Sequence, residues 1–188
     1  MEYEELKQIC LSCEKCELSK TRTNVVFGTG NPNSEIMFIG EGPGQMEDET
    51  GLPFVGRSGK LLDQYLNAIH LYRDKNIYIA NIVKCRPPQN RDPLPNEWEA
   101  CMPYLRQQFK LIRPKIVVCL GRVAAQRIIK PDFAIMKEHG QWFDKGGTLF
   151  TATLHPAALL RNPNNKPLAF EDFVSIRKKI EEICDHTY

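Results

Sequence analysis

The sequence has no long apolar run, since no stretch approaches the ~18 apolar residues of a membrane-spanning helix. It begins MEYEELK, which is acidic, unlike the basic start of a secretory signal segment. It also lacks an excess of one charge, because 25 Lys and Arg stand against 23 Asp and Glu, a formal net charge of +2. We therefore expect a cytoplasmic protein without membrane contact. Any basic surface for a nucleic acid must be local.

Internal repeats and low-complexity segments are also absent. The 188 residues fit one domain, 1–188, which is large enough to bury roughly 70% of its unfolded surface in a single core. We expect this domain to be a monomer.

The chain contains seven cysteines. Cys119 lies within an apolar run and Cys184 near the end of the last predicted helix, positions typical of a thiol that serves as a small core side chain. A reducing compartment disfavours a disulfide framework, so metal ligation is considered first for the other thiols. The ligand candidates are Cys10, Cys13, Cys16, Cys85 and Cys101. Cys10, Cys13 and Cys16 could supply three ligands of a ferredoxin-like run, or four of the five cysteines could hold zinc.

Four short apolar runs predict buried β-strands, and segments of helical periodicity separate them. The runs are Ile36–Ile39, Ile77–Val83, Ile116–Leu120 and Thr148–Leu154. Parallel neighbours require crossover connections, which the intervening helices supply. The sequence therefore predicts a three-layer α/β/α fold around a central four-stranded parallel sheet.

Residues suited to chemistry follow the predicted strands. The first strand leads into a glycine-rich loop, GEGPG at 40–44, that extends to Gly56. Asn81 interrupts the second strand, where it is either a hydrogen-bonded core residue or a ligand-facing amide. His155 follows the fourth strand. Because ligands of parallel sheets bind beyond the carboxyl ends of the strands, these segments should meet at one edge.

The segment after the fourth strand, HPAALLR, combines apolar and basic residues. We predict a loop flanked by prolines. Leu159 and Leu160 either fill the core or form, beside Arg161, an exposed wedge that presses between DNA bases.

Three of these segments together resemble the family-4 uracil-DNA glycosylases, the iron-sulfur branch of the uracil-DNA glycosylase superfamily. They are GEGPG followed by PFVG, Asn81 ahead of KCRPPQNR, and HPAALLR. The resemblance covers nearly the whole chain. It implies a DNA-repair enzyme that flips uracil out of single- or double-stranded DNA and hydrolyses its N-glycosidic bond, leaving an abasic site.

The same resemblance implies a 4Fe-4S cluster held by four thiolates. The implied ligands are Cys13, Cys16, Cys85 and Cys101, which leaves Cys10 over. The cluster would tie the N-terminal segment to the segment between Cys85 and Cys101, because neither has a core of its own.

Roles in the uracil site are likewise carried over by resemblance. Asn81 would accept a hydrogen bond from uracil N3-H and donate one to O4, while Phe54 stacks on the ring. His155 would stabilise the charge that develops on O2. Glu41 takes the position of the water-orienting residue of related families, with Glu47 and Asn90 as alternatives. The resemblance also implies that Gly42 and Pro43 contact the base. Glu47 would stand at the C5 edge of the base and exclude thymine. Leu159, Leu160 and Arg161 would contact DNA.

No lysine is evidently placed as the Schiff-base nucleophile of a strand-cutting lyase, so we expect a monofunctional glycosylase. One alternative is a related glycosylase with broader specificity for deaminated bases. A second, from another class, is a noncatalytic, metal-stabilised module that binds single-stranded DNA or nucleotides.

Overall fold

The computed structural model describes all 188 residues and contains six strands and eight α-helices. The strands are β1 (Thr29–Gly30), β2 (Ile36–Gly40), β3 (Tyr78–Asn81), β4 (Ile116–Leu120), β5 (Phe143–Lys145) and β6 (Thr148–Thr153). The helices are α1 (Tyr3–Leu11), α2 (Gln45–Thr50), α3 (Arg57–Ala68), α4 (Pro95–Ile112), α5 (Arg122–Ile128), α6 (Ile135–Glu138), α7 (Pro156–Arg161) and α8 (Lys166–Ile183). Short 3-10 turns lie at Glu17–Lys20, Pro88–Asn90 and Pro163–Asn165.

The strands form one sheet in the order β1-β3-β2-β4-β6-β5. The four central strands are parallel, as predicted, whereas β1 and β5 pair antiparallel with their neighbours. The predicted four-stranded sheet was therefore wrong in strand number. The two extra strands have two and three residues and lie at the edges, so they are too short to show a hydrophobic period.

Alternate residues of the buried strands point to opposite faces of the sheet and create two apolar layers. On one face Met37, Tyr78 and Val117 pack with residues of α1, α4 and α5. On the other, Phe38 and Val118 pack with residues of α3 and α8. The three-layer α/β/α prediction is confirmed. None of the helices combines the length and apolar character needed to cross a membrane.

Two segments that we predicted as loops contain short helices. Within Gly40–Gly56, α2 begins after Gly44, whose N–H donates to Glu47 Oε1 at 3.1 Å. After β6, α7 begins at Pro156, where the missing N–H of proline costs nothing. Both helices have six residues, which is too short for a readable apolar period.

Helix α4 begins at Pro95. Pro95 occupies the first helical position and Leu94 is the cap. Glu97 closes this turn by accepting from the Leu94 N–H at 2.7 Å, and Arg91 in turn donates to Glu97 at 2.7 Å. The helix carries Cys101 toward the N-terminal segment.

Candidate active site

A cavity of about 730 Å³ lies beyond the carboxyl ends of the four parallel strands. Strand β3 ends at Asn81, Glu41 follows β2, Gly121 follows β4, and His155 lies two residues after β6. Residues from all four strand ends therefore line one cavity. The sequence-predicted residues on its wall are Glu41, Gly42, Pro43, Glu47, Phe54, Asn81, Asn90, His155, Leu160 and Arg161.

Asn81 lines this cavity with an unpaired acceptor. The residue is only 1% exposed, and its Oδ1 is buried without a hydrogen-bond partner. A core amide that served only the fold would be paired, because an unsatisfied buried acceptor costs about 1–3 kcal/mol. Gly40 of β2, which pairs in register with Asn81, provides the space for this side chain. A Cβ at Gly40 would overlap Asn81 Oδ1 and the Phe54 ring. The acceptor is thus available to a donor in the cavity.

Phe54 supplies an aromatic wall opposite the His155 ring. Its ring centroid lies 5.7 Å from that of His155, at an interplanar angle of 34°. The backbone of Phe54 has φ 52°, in the left-handed region that a bulky residue rarely adopts. Glu47 Oε2 holds the loop by accepting from the N–H groups of Val55 at 3.0 Å and Gly56 at 2.9 Å.

His155 is held as a neutral hydrogen-bond donor. Its Nδ1 accepts from the Ala157 N–H at 3.0 Å, so the ring proton of the neutral form lies on Nε2. Burial, and secondarily the charge of Arg161, lower the pKa of His155 to about 4. At neutral pH the imidazole therefore carries no charge and presents Nε2–H as its remaining donor.

Glu41 shares the cavity with a second acid. Burial, followed by the charge and hydrogen bond of Asp92, raises the pKa of Glu41 to about 7, against the opposing effects of Arg122 and Arg161. Arg122 donates to Asp92 Oδ2 at 2.8 Å, and this bond is the main reason that the pKa of Asp92 is lowered. Asp92 thus stays ionised and makes ionisation of Glu41 harder.

Five cysteine thiols surround a second, small cavity away from the strand ends. They are Cys10, Cys13, Cys16, Cys85 and Cys101. All seven cysteines of the chain are free. Burial raises the pKa of Cys10 to about 12 and that of Cys101 to about 11. No three or more His, Cys, Asp or Glu side chains are grouped so that they could hold one metal ion.

Two nitrogen donors reach the sulfurs of this thiol cluster. Arg22 Nη1 lies 3.4 Å from Cys85 Sγ, and the Lys84 N–H donates to Cys101 Sγ at 3.2 Å. The Lys84 ammonium is fully buried and bonds only to the Asn81 carbonyl at 3.0 Å and Gln108 Oε1 at 2.6 Å. Burial lowers the pKa of Lys84 to about 8, and no carboxylate pairs with it.

Comparison with known proteins assigns the family. The model of the family described as "Uracil DNA glycosylase superfamily" matches residues 27–177. The chain belongs to the uracil-DNA glycosylase superfamily. It is 46% identical to the type-4 uracil-DNA glycosylase of Archaeoglobus fulgidus, over 93% of this chain and 89% of the relative. The type-4 enzyme of Sulfurisphaera tokodaii is 45% identical, over 93% of this chain and 83% of the relative. The type-4 enzyme of Thermotoga maritima is 42% identical, over 90% of this chain and 90% of the relative.

The structure corrects one predicted contact of this superfamily member. Leu159 is 1% exposed and packs in the core with residues of α3 and α8, so it cannot be part of an exposed wedge. Helix α7 explains the difference, because it turns consecutive leucines about 100° apart. Leu160 and Arg161 instead face the cavity.

Sequence reasoning missed several residues of this superfamily site. Asp92 and Arg122 line the cavity beside Glu41. Arg122 could have been found, because it follows Gly121 directly at the end of a predicted strand. Asp92 lies in an irregular segment eleven residues after Asn81, where no periodicity places a side chain. Their pairing depends on how the segment that carries Asp92 approaches the start of α5.

Proposed function

We propose that this chain is a monofunctional uracil-DNA glycosylase, which hydrolyses the N-glycosidic bond of a flipped-out uracil and leaves an abasic site. The observation that carries the proposal is the unpaired, buried Oδ1 of Asn81 in the same cavity as Phe54 and His155. The family match and the type-4 relatives support it. The monomeric state and activity on single- as well as double-stranded DNA stay predictions.

Asn81 and Phe54 read the base. A flipped nucleotide exposes its Watson-Crick edge, where uracil offers a donor at N3 and an acceptor at O4. The Asn81 amide matches both, because Oδ1 accepts and Nδ2 donates. Cytosine has an amino donor at position 4 and an acceptor at N3. Its donor would face the Nδ2 donor of Asn81, and its acceptor would face Oδ1. The Phe54 ring supplies a face on which any pyrimidine can stack.

His155 assists departure of the base. Cleavage of the N-glycosidic bond leaves negative charge on the uracil anion, chiefly at O2 and O4. A neutral imidazole with its proton on Nε2 can donate to O2 as that charge develops, without transferring the proton. The bond from the Ala157 N–H to Nδ1 keeps the ring in this tautomer.

Glu41 is our proposed acceptor for the attacking water. Both oxygens of Glu47 already accept backbone bonds, from Gly44 on Oε1 and from Val55 and Gly56 on Oε2. Asn90 Oδ1 accepts from Arg86 at 2.7 Å. Glu41 shares a hydrogen bond with Asp92 only while one of the two acids is protonated, so the ionised carboxylate of Glu41 can orient a water toward C1′. Exclusion of thymine by Glu47 stays a prediction.

Leu160 and Arg161 form the proposed DNA contact at the cavity mouth, together with Arg57, Arg91 and Arg122 on the same wall. Guanidinium groups bind phosphates without reading sequence, which suits an enzyme that must find uracil in any context.

Base release from an oligonucleotide that contains one uracil is the direct test. We expect free uracil and an alkali-sensitive abasic site, with no strand cutting before alkali treatment, and no release from matched thymine or cytosine substrates. Tight binding of the oligonucleotide without release would instead favour the noncatalytic binding module. Release of hypoxanthine or xanthine would favour the glycosylase of broader specificity.

The thiol cluster is our proposed site for a 4Fe-4S cluster, with Cys13, Cys16, Cys85 and Cys101 as ligands. The donor set fits, because clusters of this type take four thiolates. The buried Lys84 ammonium, without a carboxylate partner, and the donors to Cys85 and Cys101 suit an anionic group between these sulfurs. When bound, the cluster would join the N-terminal segment to α4 as a structural cross-link.

The ligand assignment predicts which cysteines are needed for iron. Purified protein should contain about four irons per chain. Cys13→Ala, Cys16→Ala, Cys85→Ala and Cys101→Ala should each lose iron and visible absorbance. Cys10→Ala is the matched control from the same cavity and should retain both. Stoichiometric zinc in anaerobically prepared protein, or iron that survives in Cys85→Ala but not in Cys10→Ala, would contradict the assignment.

The proposed role of Glu41 predicts a pH dependence of single-turnover excision. Because its pKa is raised to about 7, the fraction of carboxylate, and with it the rate, should increase as pH rises through about 7. Glu41→Gln should be slower and lack this step. Asp92→Asn removes a neighbouring negative charge, so it should lower the pKa of Glu41 and move the step to lower pH. An unchanged step in Glu41→Gln would assign the titration to another group.

A further inference from the structure

The loop that carries Phe54 is held from two sides. On the cavity side, Glu47 accepts the N–H groups of Val55 and Gly56. On the opposite side, Arg73 donates to the carbonyl oxygens of Pro53, at 2.6 Å, and of Phe54. Glu47 therefore accepts hydrogen bonds from N–H groups of the loop, and Arg73 donates hydrogen bonds to its carbonyl groups.

Arg73 is itself fixed by the helix that follows the loop. Its Nε donates to Asp63 Oδ1 of α3 at 2.7 Å, and Nη2 also reaches the Gly59 carbonyl at 3.3 Å. The side chain is 20% exposed, so the ion pair is partly shielded from solvent. A planar guanidinium with five donors can make these four bonds together, whereas a lysine ammonium has three donors on one atom.

The Phe54 backbone requires such support. Its positive φ is an unfavourable conformation for an aromatic residue and persists only when the surroundings impose it. A Cβ at Gly59 would overlap the Phe54 carbonyl, so α3 packs directly against this peptide. The Phe54 carbonyl that Arg73 binds is thus part of the same contact between loop and helix.

We infer that Arg73 is a positioning residue for uracil excision, which holds the Phe54 main chain so that the ring stands against the base. The inference rests on the proposed function, because that assigns the stacking role to Phe54. Arg73 does not line the substrate cavity. It lies behind the loop, on an open surface cleft that it shares with Asp63 and Asp74. Its effect on excision must therefore pass through the loop.

A double-mutant cycle on Phe54→Ala and Arg73→Ala tests this coupling. Single-turnover excision should fall about 10- to 100-fold in Arg73→Ala, the scale of a small misplacement of a reacting group. In the Phe54→Ala background the same change should cost less than about 3-fold, because no ring remains to be positioned. Arg73→Lys should recover only part of the loss, and it replaces Arg73→Ala in the cycle if that variant does not fold.

Lys115→Ala is the matched control for lost stability. Lys115 bonds to the Ile183 carbonyl at 3.0 Å and to Asp185 at 2.6 Å, and it lies at the amino end of β4, opposite the cavity. This variant should unfold at a lower temperature and keep full excision. Equal losses from Arg73→Ala in both backgrounds, or a comparable loss in Lys115→Ala at equal destabilisation, would overturn the inference.

The cycle also separates this inference from the proposed function. Slow excision by Phe54→Ala with full excision by Arg73→Ala would reject the role of Arg73 and leave uracil excision intact. Full excision by Phe54→Ala would reject the stacking role, and the inference with it. Absence of uracil release by the unaltered protein would overturn the proposed function itself.

Discussion

Asn81→Asp should reduce uracil excision by about 10⁴- to 10⁵-fold, the scale at which a site that reads a hydrogen-bonding edge rejects a mismatched one. The substitution keeps the shape of the side chain and the acceptor that faces N3-H. It replaces the Nδ2 donor by a second acceptor, which then opposes uracil O4. Neither Oδ1 nor Nδ2 of Asn81 has a hydrogen-bond partner within the protein, and the bond from Lys84 goes to the Asn81 main-chain carbonyl, so the change disturbs the base rather than a bond of the fold.

The same variant should gain weak excision of cytosine, whose amino group is a donor at the position of O4. This gain is favoured by the protonated form of the new carboxyl, which can donate to cytosine N3. Thermal unfolding measured in parallel should show a modest loss of stability, because Asn81 lines the cavity but is only 1% exposed. A stable variant with full uracil activity would remove Asn81 from the site. A large loss of stability would indicate a core role, since burial of an unpaired acid costs several kcal/mol.

His155→Ala should fold but lose about 100- to 1000-fold in single-turnover excision, as expected for loss of one donor to a developing anion. Part of any change in stability will come from α7, because His155 also caps this helix by accepting from the Ala157 N–H. His155→Asn is therefore the matched control. Asn is among the preferred cap residues, so it should restore the stability of α7 and not the excision rate.

The neutral state of His155 gives this prediction a second measurement. With a pKa of about 4, the imidazole has already lost its second proton well below neutrality. Excision should therefore not fall as pH rises through about 6.5, the ordinary pKa of histidine. A rate that declined there, and that lost this decline in His155→Asn, would show that the cationic form is required. Full excision by His155→Ala would exclude the residue.

Local periodicity was sufficient to predict the centre of the fold. Strands β2 and β4 are continuous apolar runs buried on both faces, and helix α3 shows a clear apolar face. Parallel strands joined by helices have one carboxyl edge, so the positions of Glu41 and His155 after their strands, and of Asn81 near the end of its strand, were enough to bring them together. The position of Cys119 in an apolar run, and of Cys184 near the end of the last helix, likewise separated them from the five grouped thiols.

The remaining features depend on contacts between segments distant in the sequence. Strand β1 forms only because β3 offers Ile79 and Tyr78 as pairing partners, and a two-residue strand has no pattern of its own. Leu159 and Leu160 are identical, adjacent side chains, and only the turn of α7 decides which one is buried.

The electrostatics of the site were decided in the same way, by tertiary structure alone. The pKa of Glu41 depends on Asp92, which arrives from another loop, and the pKa of His155 depends mainly on burial of its ring by other segments. Arg73 supports Phe54 from nineteen residues away. The sequence by itself determined which residue types stand at the carboxyl ends of the strands, because each of these residues follows or ends its own strand in the chain. Protonation, burial and loop support required the folded chain, because each depends on the distance between atoms that the sequence does not bring together.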